Sequence, residues 1–193
     1  SAGSVINQGE ITTPLGGNVY LVGNDVSNQG LITTPQGETI LAAGATVSLI
    51  DTATPGLKVD ITGAEGNVTN LGRITADAGR IGMAGVLVRN SGQLNASSVV
   101  NDGGRIFLKA SQDTHVDQGG RILATGRKGG HVEILGSRVA VTDQAQVDAS
   151  GEQGGGTIKI GGDYQGKNPD IPNAQVTYVG PETQLKASAT LTG

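Results

Sequence analysis

The sequence predicts an all-β chain that winds as a right-handed parallel β-helix, a solenoid with coils of about 21 residues. Short β-branched strings alternate with Gly, Asn and Asp clusters, and apolar residues at helical spacing are missing. The ten-residue phrase at 5–14 recurs 21 positions later at 26–35, and shorter copies begin at Val68 and Val88. Self-similarity at such a period is typical of a solenoid.

Each coil is predicted to hold three short strands and three turns, so that it returns one strand spacing higher. Two apolar columns are expected to stack inside: Val5, Val26, Val68 and Val88, and Ile11, Ile32, Ile74 and Leu94. Between them a polar ladder is predicted, with side-chain amides that bond to one another or to the next turn: Asn7, Asn28, Asn70 and Asn90. The glycine two residues after each asparagine is expected to supply a positive φ.

We expect eight or nine coils and a rod of roughly 40 Å. The predicted starts are Val5, Val26, Val47, Val68, Val88, Val116, Val139 and Val176, with a degenerate copy at Val47. Longer units carry insertions at 97–104, 125–130 and above all 161–173, an inserted loop in an otherwise single domain of residues 1–193. Neither end shows a polar cap, so we expect a segment of a larger secreted protein.

Composition narrows the function classes. The chain has no cysteine, which excludes disulfides and suits passage through an oxidising periplasm. No apolar run of 18 residues is present, so direct membrane insertion is not expected. Residues 73–138 carry nine basic and five acidic residues, yet aromatic residues are scarce there. We therefore predict a solvated face and no nucleic-acid partner.

Catalysis is the main alternative, because lyases and tailspike-type hydrolases also use parallel β-helices and need converging carboxylates. Most candidate acids lie beside turn glycines, where an Asx turn accounts for them: Asp102, Asp113, Asp117, Asp143, Asp148 and Asp163. His115 and His131 are predicted to be surface residues, since a zinc site needs three or four ligands. We expect no catalytic residue, no metal and no cofactor.

Two features are candidate binding sites. Arginines follow a glycine and precede an isoleucine at Arg73, Arg80, Arg105 and Arg121. If they share a rung position, Arg73, Arg105 and Arg121 form an outward basic stripe for sulfated or sialylated glycans; repetition of a solvent-facing residue is the simpler interpretation.

The loop at 161–173 offers a possible sugar platform through Asp163, Tyr164, Lys167 and Asn168. The alternative, which the sequence favours, is a structural loop that packs Tyr164 on the rod.

The phrases at 30–44, 71–76, 103–106 and 154–166 resemble the filamentous haemagglutinin family, large exoproteins of bacterial two-partner secretion. The most specific is Gly-Gly-Asp-Tyr-Gln-Gly at 161–166. The resemblance implies a β-helical adhesin that crosses the periplasm, leaves through an outer-membrane β-barrel transporter, and is secreted or displayed at the cell surface. There it would bind glycans or receptors on host cells or other bacteria.

The family's secretion domain usually carries an Asn-Pro-Asn-type motif, and this chain has only Asn168-Pro169. The segment is therefore expected downstream of the secretion domain or adjoining it. An autotransporter passenger domain, which shares the fold and the surface role, is a further alternative.

Overall fold

The computed structural model describes residues 3–52, 56–62 and 65–191, and the regular secondary structure of these residues consists of β-strands apart from one 3₁₀ turn. The elements are β1 (Ser4–Asn7), β2 (Glu10–Thr12), β3 (Asn18–Gly23), β4 (Asp25–Asn28), β5 (Leu31–Thr33), β6 (Glu38–Ala43), β7 (Thr46–Thr52), β8 (Gly56–Thr62), β9 (Asn67–Asn70), β10 (Arg73–Thr75), β11 (Arg80–Asn90), β12 (Gln93–Asn95), β13 (Arg105–Val116), β14 (Arg121–Leu123), β15 (Gly126–Lys128), β16 (His131–Leu135), β17 (Arg138–Val141), β18 (Gln146–Asp148), β19 (Gly151–Gly154), β20 (Thr157–Ile160), a 3₁₀ turn (Tyr164–Gly166), β21 (Val176–Val179) and β22 (Gln184–Lys186).

The strands wind into a parallel β-helix with three faces, which confirms the predicted fold class. The first face runs β1, β4, β9, the end of β11, the end of β13, β17 and β21. The second face runs β2, β5, β10, β12, β14, β18 and β22. The third runs β3, β6, the start of β11, the start of β13, β16 and β20. The second face has seven strands, one per coil, so the described residues form seven coils.

The prediction that a coil begins at Val47 is wrong. β7 and β8 pair antiparallel, as a hairpin, and Val26 pairs directly with Val68. The spacing of 42 residues is therefore one coil that carries a hairpin, and the expected eight or nine coils become seven. The sequence held a signal for this, because a Pro-Gly pair at 55–56 separates two alternating runs.

Two other predicted starts are displaced. Val88 pairs with Thr114, and Val139 pairs with Thr177, so the starts predicted at Val116 and Val176 are two residues late and one residue early. The first displacement arises because the polar residue Thr114 takes the position of Val88 in the next coil, whereas the following valine, Val116, is in register with Asn90. The apolar pattern therefore points two residues beyond the true partner.

The core consists of stacked aliphatic side chains, as predicted. Val26, Val68 and Val88 are buried in one column, and Ile32, Ile74 and Leu94 are fully buried in another. A third column lies on the third face: Ile81, Ile106 and Val132. Burying each such side chain stabilises the fold by about 1.5–3 kcal/mol.

The predicted asparagine ladder is confirmed. Asn7 Nδ2 donates to Asn28 Oδ1, Asn28 Nδ2 donates to Asn70 Oδ1, and Asn70 Nδ2 donates to Asn90 Oδ1, each at 2.8 Å. All four side chains are buried. Each of these coils thus contributes one side-chain amide, which forms a hydrogen bond with the amide of the neighbouring coil inside an otherwise apolar lumen.

The prediction that the glycines beside this ladder supply a positive φ is wrong. Gly30, Gly72 and Gly92 do not have a positive φ. A Cβ atom added at any of the three would instead overlap a glycine carbonyl oxygen of the preceding coil. The overlapped oxygen belongs to Gly9 for Gly30, to Gly30 for Gly72 and to Gly72 for Gly92. The glycines are required because successive backbones approach closely here.

The longer coils place their extra residues at two corners. The β7–β8 hairpin and the connection at 161–175 both leave the corner between the third and first faces. Residues 97–104 and the segments that contain β15 and β19 occupy the corner between the second and third faces, where β15 and β19 pair as a small extra sheet. Within the described part of the chain, no helix is long and apolar enough to cross a membrane.

Candidate functional site

The acids that could serve catalysis are bound to other groups. Asp117 is buried; Ser91 Oγ donates to its Oδ1 at 2.6 Å, and Arg89 Nη2 lies 2.7 Å from its Oδ2. The hydrogen bond to Asp117 raises the pKa of Arg89. This triad joins neighbouring coils and offers no free carboxylate for acid–base chemistry.

Asp113 is held in the same way. Arg138 donates through Nε and Nη2, and the Nη2 bond to Asp113 Oδ2 measures 2.6 Å. The hydrogen bond from Arg138 lowers the pKa of Asp113. Asp148 Oδ1 accepts from the Ser150 backbone N–H at 2.8 Å, which is the predicted Asx turn.

Asp102 Oδ1 accepts from the Lys128 backbone N–H at 3.2 Å, and Asp143 occupies a turn with φ 54°. His115 and His131 are both exposed. Among the described residues, no group of three or more His, Cys, Asp or Glu side chains is placed to hold a metal ion.

The connection at 161–175 is organised by Asp163. Its carboxylate accepts from the Tyr164 backbone N–H at 2.7 Å, from Asn168 Nδ2 at 2.8 Å and from Lys159 Nζ at 3.0 Å. These three donors, led by Asn168, lower the pKa of Asp163 to about 2. The structure therefore brings Asp163 and Asn168 together as predicted for a binding site, but the two side chains are hydrogen-bonded to each other.

Tyr164 does not pack on the rod, which contradicts the interpretation that the sequence favoured. Its side chain is 81% exposed. The 3₁₀ turn projects it outward because Gln165, with φ 55°, and Gly166, with φ 63°, reverse the chain immediately after it. Lys167 is also exposed, and its backbone N–H faces the Tyr164 carbonyl oxygen at 3.5 Å.

The basic stripe predicted from Arg73, Arg105 and Arg121 is wrong, because these residues do not share a rung position. Arg73 and Arg121 lie in one column of the second face, with Gln93 between them. Arg105 lies on the third face, in register with Arg80 and His131. The same Gly-Arg-Ile phrase thus occurs on two faces, and its basic side chains are divided between them.

Sequence reasoning missed a groove at the corner between the third and first faces. It has a volume of about 340 Å³, and its floor is formed by residues in register on three coils: Ala84, Lys109 and Leu135. Pro172, Asn173 and Gln175 line it from the 161–175 connection. No motif could have revealed the groove, because its residues are far apart in sequence and meet only through the register.

Seven parallel coils with an apolar lumen define a β-solenoid. No family model matches the chain, and no curated protein matches it. Among solved structures it is similar to the HMW1 secretion domain from Haemophilus influenzae, with a TM-score of 0.87 and 33% sequence identity. The similarity covers 96% of this chain and 50% of that one, so the chain spans about half the length of this relative.

Proposed function

We propose that this chain forms part of the secretion domain of a bacterial two-partner exoprotein, the part through which an outer-membrane β-barrel transporter recognises its substrate. The similarity to the HMW1 secretion domain carries this proposal, because it covers 96% of the chain with a TM-score of 0.87 and 33% sequence identity. The sequence led us to expect the segment downstream of a secretion domain or adjoining it; the similarity favours a place within such a domain. The specific resemblance to filamentous haemagglutinin remains a prediction.

The architecture suits export followed by folding. Each coil contacts only its neighbours, so coils can be added one at a time as the chain emerges. Register partners in the first coils are 20–21 residues apart except where the hairpin intervenes, which keeps the loop-closure entropy of each step small. The chain also has no cysteine to form a premature disulfide in the periplasm.

We further propose that the parent protein is a secreted or surface-displayed adhesin that binds glycans or receptors on host cells or bacteria. In this role the segment supplies a rigid rod. The close backbone stacking at Gly30, Gly72 and Gly92 and the buried asparagine ladder support stiffness, since both fix each coil on the one below.

We propose that the segment is not an enzyme. The ion pairs and turn bonds of Asp113, Asp117 and Asp163 support this proposal, because these carboxylates already have strong partners. Incubation with pectin and other acidic polysaccharides checks it by reducing-end release and by absorbance of unsaturated products. Turnover of any of them would favour the lyase or hydrolase alternative.

The secretion proposal is tested in the parent protein with its transporter. Replacing residues 3–191 by the same number of coils from an unrelated parallel β-helix keeps a rod but removes this surface. We expect the parent to accumulate in the periplasm and to disappear from the medium, as measured by immunoblotting of both fractions. Normal secretion of the hybrid would instead assign the segment to a spacer downstream of the secretion domain.

A further inference from the structure

The corner groove is built on the outer side of the third face, where side chains normally meet solvent. Ala84, Lys109 and Leu135 stack there in register, and Ala84 and Leu135 are buried although they point away from the lumen. Five further residues extend the floor along the corner toward the first face: Gly85, Ala110, Ser111, Gly136 and Ser137. The volume of about 340 Å³ falls in the range of small-ligand sites.

One wall of the groove is fixed to the rod. The Ala174 backbone N–H donates to the Gly161 carbonyl oxygen at 2.6 Å, and the Gln175 N–H donates to the Ser137 carbonyl oxygen at 2.7 Å. Asn173 Nδ2 donates to the Gly166 carbonyl oxygen at 3.0 Å. The groove is therefore preformed, and a ligand would not have to order this wall on binding.

Lys109 gives the groove its charge. Its side chain is half-buried between Ala84 and Leu135, and among the described residues no carboxylate lies within 4 Å of its ammonium group. Glu133 lies on the same outer face of the neighbouring strand but outside that distance. Because a partly desolvated cation gains most from an ionic partner, the groove favours an anion at Lys109.

The remaining lining indicates what kind of anion fits. Ser111, Ser137 and Gln175 line the same groove as Lys109 and carry side-chain hydrogen-bonding groups, and apolar side chains form much of the rest of the lining. The single ammonium group supplies one positive charge, which matches a monoanion better than inorganic sulfate or phosphate. Among the monoanionic groups that a sugar can carry, a carboxylate is smaller than a sulfate ester, and the groove of about 340 Å³ must also hold the ring. A hydroxylated ring that carries one carboxylate would use all of these groups.

We propose that the corner groove binds a carboxylated monosaccharide unit, with its carboxylate on the Lys109 ammonium and its hydroxyls on Ser111, Ser137 and Gln175. This site is independent of the proposed role in secretion. It is also distinct from Tyr164 and from the arginine columns.

The test is a ¹H–¹⁵N NMR titration of the 193-residue chain with glucuronate, beside glucose and inorganic sulfate. We expect saturable shifts of the Ala110, Ser111 and Gly136 amides with glucuronate only, at a millimolar Kd. Lys109→Gln should weaken binding at least tenfold, while Glu133→Gln should tighten it because a nearby negative charge is removed.

Lys128→Gln is the matched control, because Lys128 is exposed on β15, outside the groove, and this variant should bind like the wild type. Thermal unfolding of each variant verifies that it is folded, and Ser111→Ala provides a second, milder variant with an expected partial loss. The proposal is overturned if glucuronate produces no saturable shift, if glucose or sulfate binds equally well, or if Lys109→Gln binds as the wild type does.

Discussion

The first four coils and the last three share a fold but fill the same inward position in different ways. In the first four coils this position holds Asn7, Asn28, Asn70 and Asn90, joined by amide hydrogen bonds. In the last three coils it holds Val116, Val141 and Val179. Asparagine and valine have similar volume, so the lumen keeps its width while its chemistry changes.

The difference shows that a buried ladder of amides needs a separate acceptor for its last donor. Each interior asparagine donates to one neighbour and accepts from the other, and the series must end where a valine begins. Asn28 and Asn70 also donate through Nδ2 to the carbonyl oxygens of Gly30 and Gly72, in addition to their ladder bonds. At the boundary, Asn90 Nδ2 has no further asparagine to bond and retains the equivalent bond to the Gly92 carbonyl oxygen at 3.3 Å. The turn glycine thus provides the acceptor that lets the ladder stop without an unpaired amide.

The largest expected effect concerns the close stacking of the regular coils. Gly72→Ala forces a methyl group against the Gly30 carbonyl oxygen, so we expect a loss of roughly 3 kcal/mol or more in the free energy of unfolding. Gly154→Ala in the later coils is the matched control, because a Cβ there meets no atom within 4 Å, and its effect should stay within about 0.5 kcal/mol. Urea denaturation of both variants measures the difference, and similar midpoints would refute the close-approach explanation.

The second prediction replaces asparagines of the ladder by valine, the residue that the last three coils have at the same position. Asn70→Val removes the acceptor of Asn28 and the donor to Asn90, which should cost about 1–3 kcal/mol. Replacing all four asparagines by valine removes both partners of every amide–amide bond in the ladder, and the carbonyl oxygens of Gly30, Gly72 and Gly92 keep backbone N–H donors from the next coil. This quadruple variant should therefore unfold at a higher urea concentration than Asn70→Val alone. If the quadruple variant is the less stable of the two, the ladder contributes more than mutual satisfaction of its amides.

Much of the regular half could be predicted from the sequence, because its coils repeat one phrase in one register. The Val26 and Ile32 columns and the asparagine ladder follow from that repetition alone. The glycine explanation failed because a repeated glycine indicates only that a side chain is not tolerated. Positive φ and close backbone approach leave the same mark in the sequence.

The positions of the arginines, the coil start near Val116 and the corner groove could not be predicted, because a short sequence motif does not indicate on which face of the β-helix it lies. Gly-Arg-Ile lies on the second face at Arg73 and on the third at Arg105, so equal letters did not mean equal positions. Similarly, Val116 continues the apolar pattern but belongs under Asn90, two residues away from the position assigned to it. The corner groove depends on both the register and the 161–175 connection, and neither is written in a motif.

The third prediction concerns pH and the connection between the last two coils. The pKa of Asp163, lowered to about 2, means that its ionised form is favoured in the folded loop, so its stabilisation is complete above an unfolded-state pKa near 3.9. It should be lost as the pH falls toward 2. Carboxyl ¹³C NMR of Asp163 measures this pKa.

Amide exchange over the same range should show the connection at 161–175 opening before the coils do. In Asp163→Asn, with Asp170→Asn as the exposed control, the opening should be present already at neutral pH. An Asp163 pKa near 4 would show that its three donors do not hold the carboxylate.

The smallest expected effect tests whether the exposed Tyr164 ring contributes to the stability of the connection at 161–175. Tyr164→Ala removes a large aromatic ring, and in a coil core such a change would cost about 3–5 kcal/mol. Because the ring is 81% exposed, we expect the melting temperature to stay within about 2 °C of the wild type. Differential scanning calorimetry makes the measurement, and a larger drop would show that the ring packs on the rod. An unchanged melting temperature would show that the aromatic ring does not stabilise the loop, as expected if the three hydrogen bonds to the Asp163 carboxylate fix its shape.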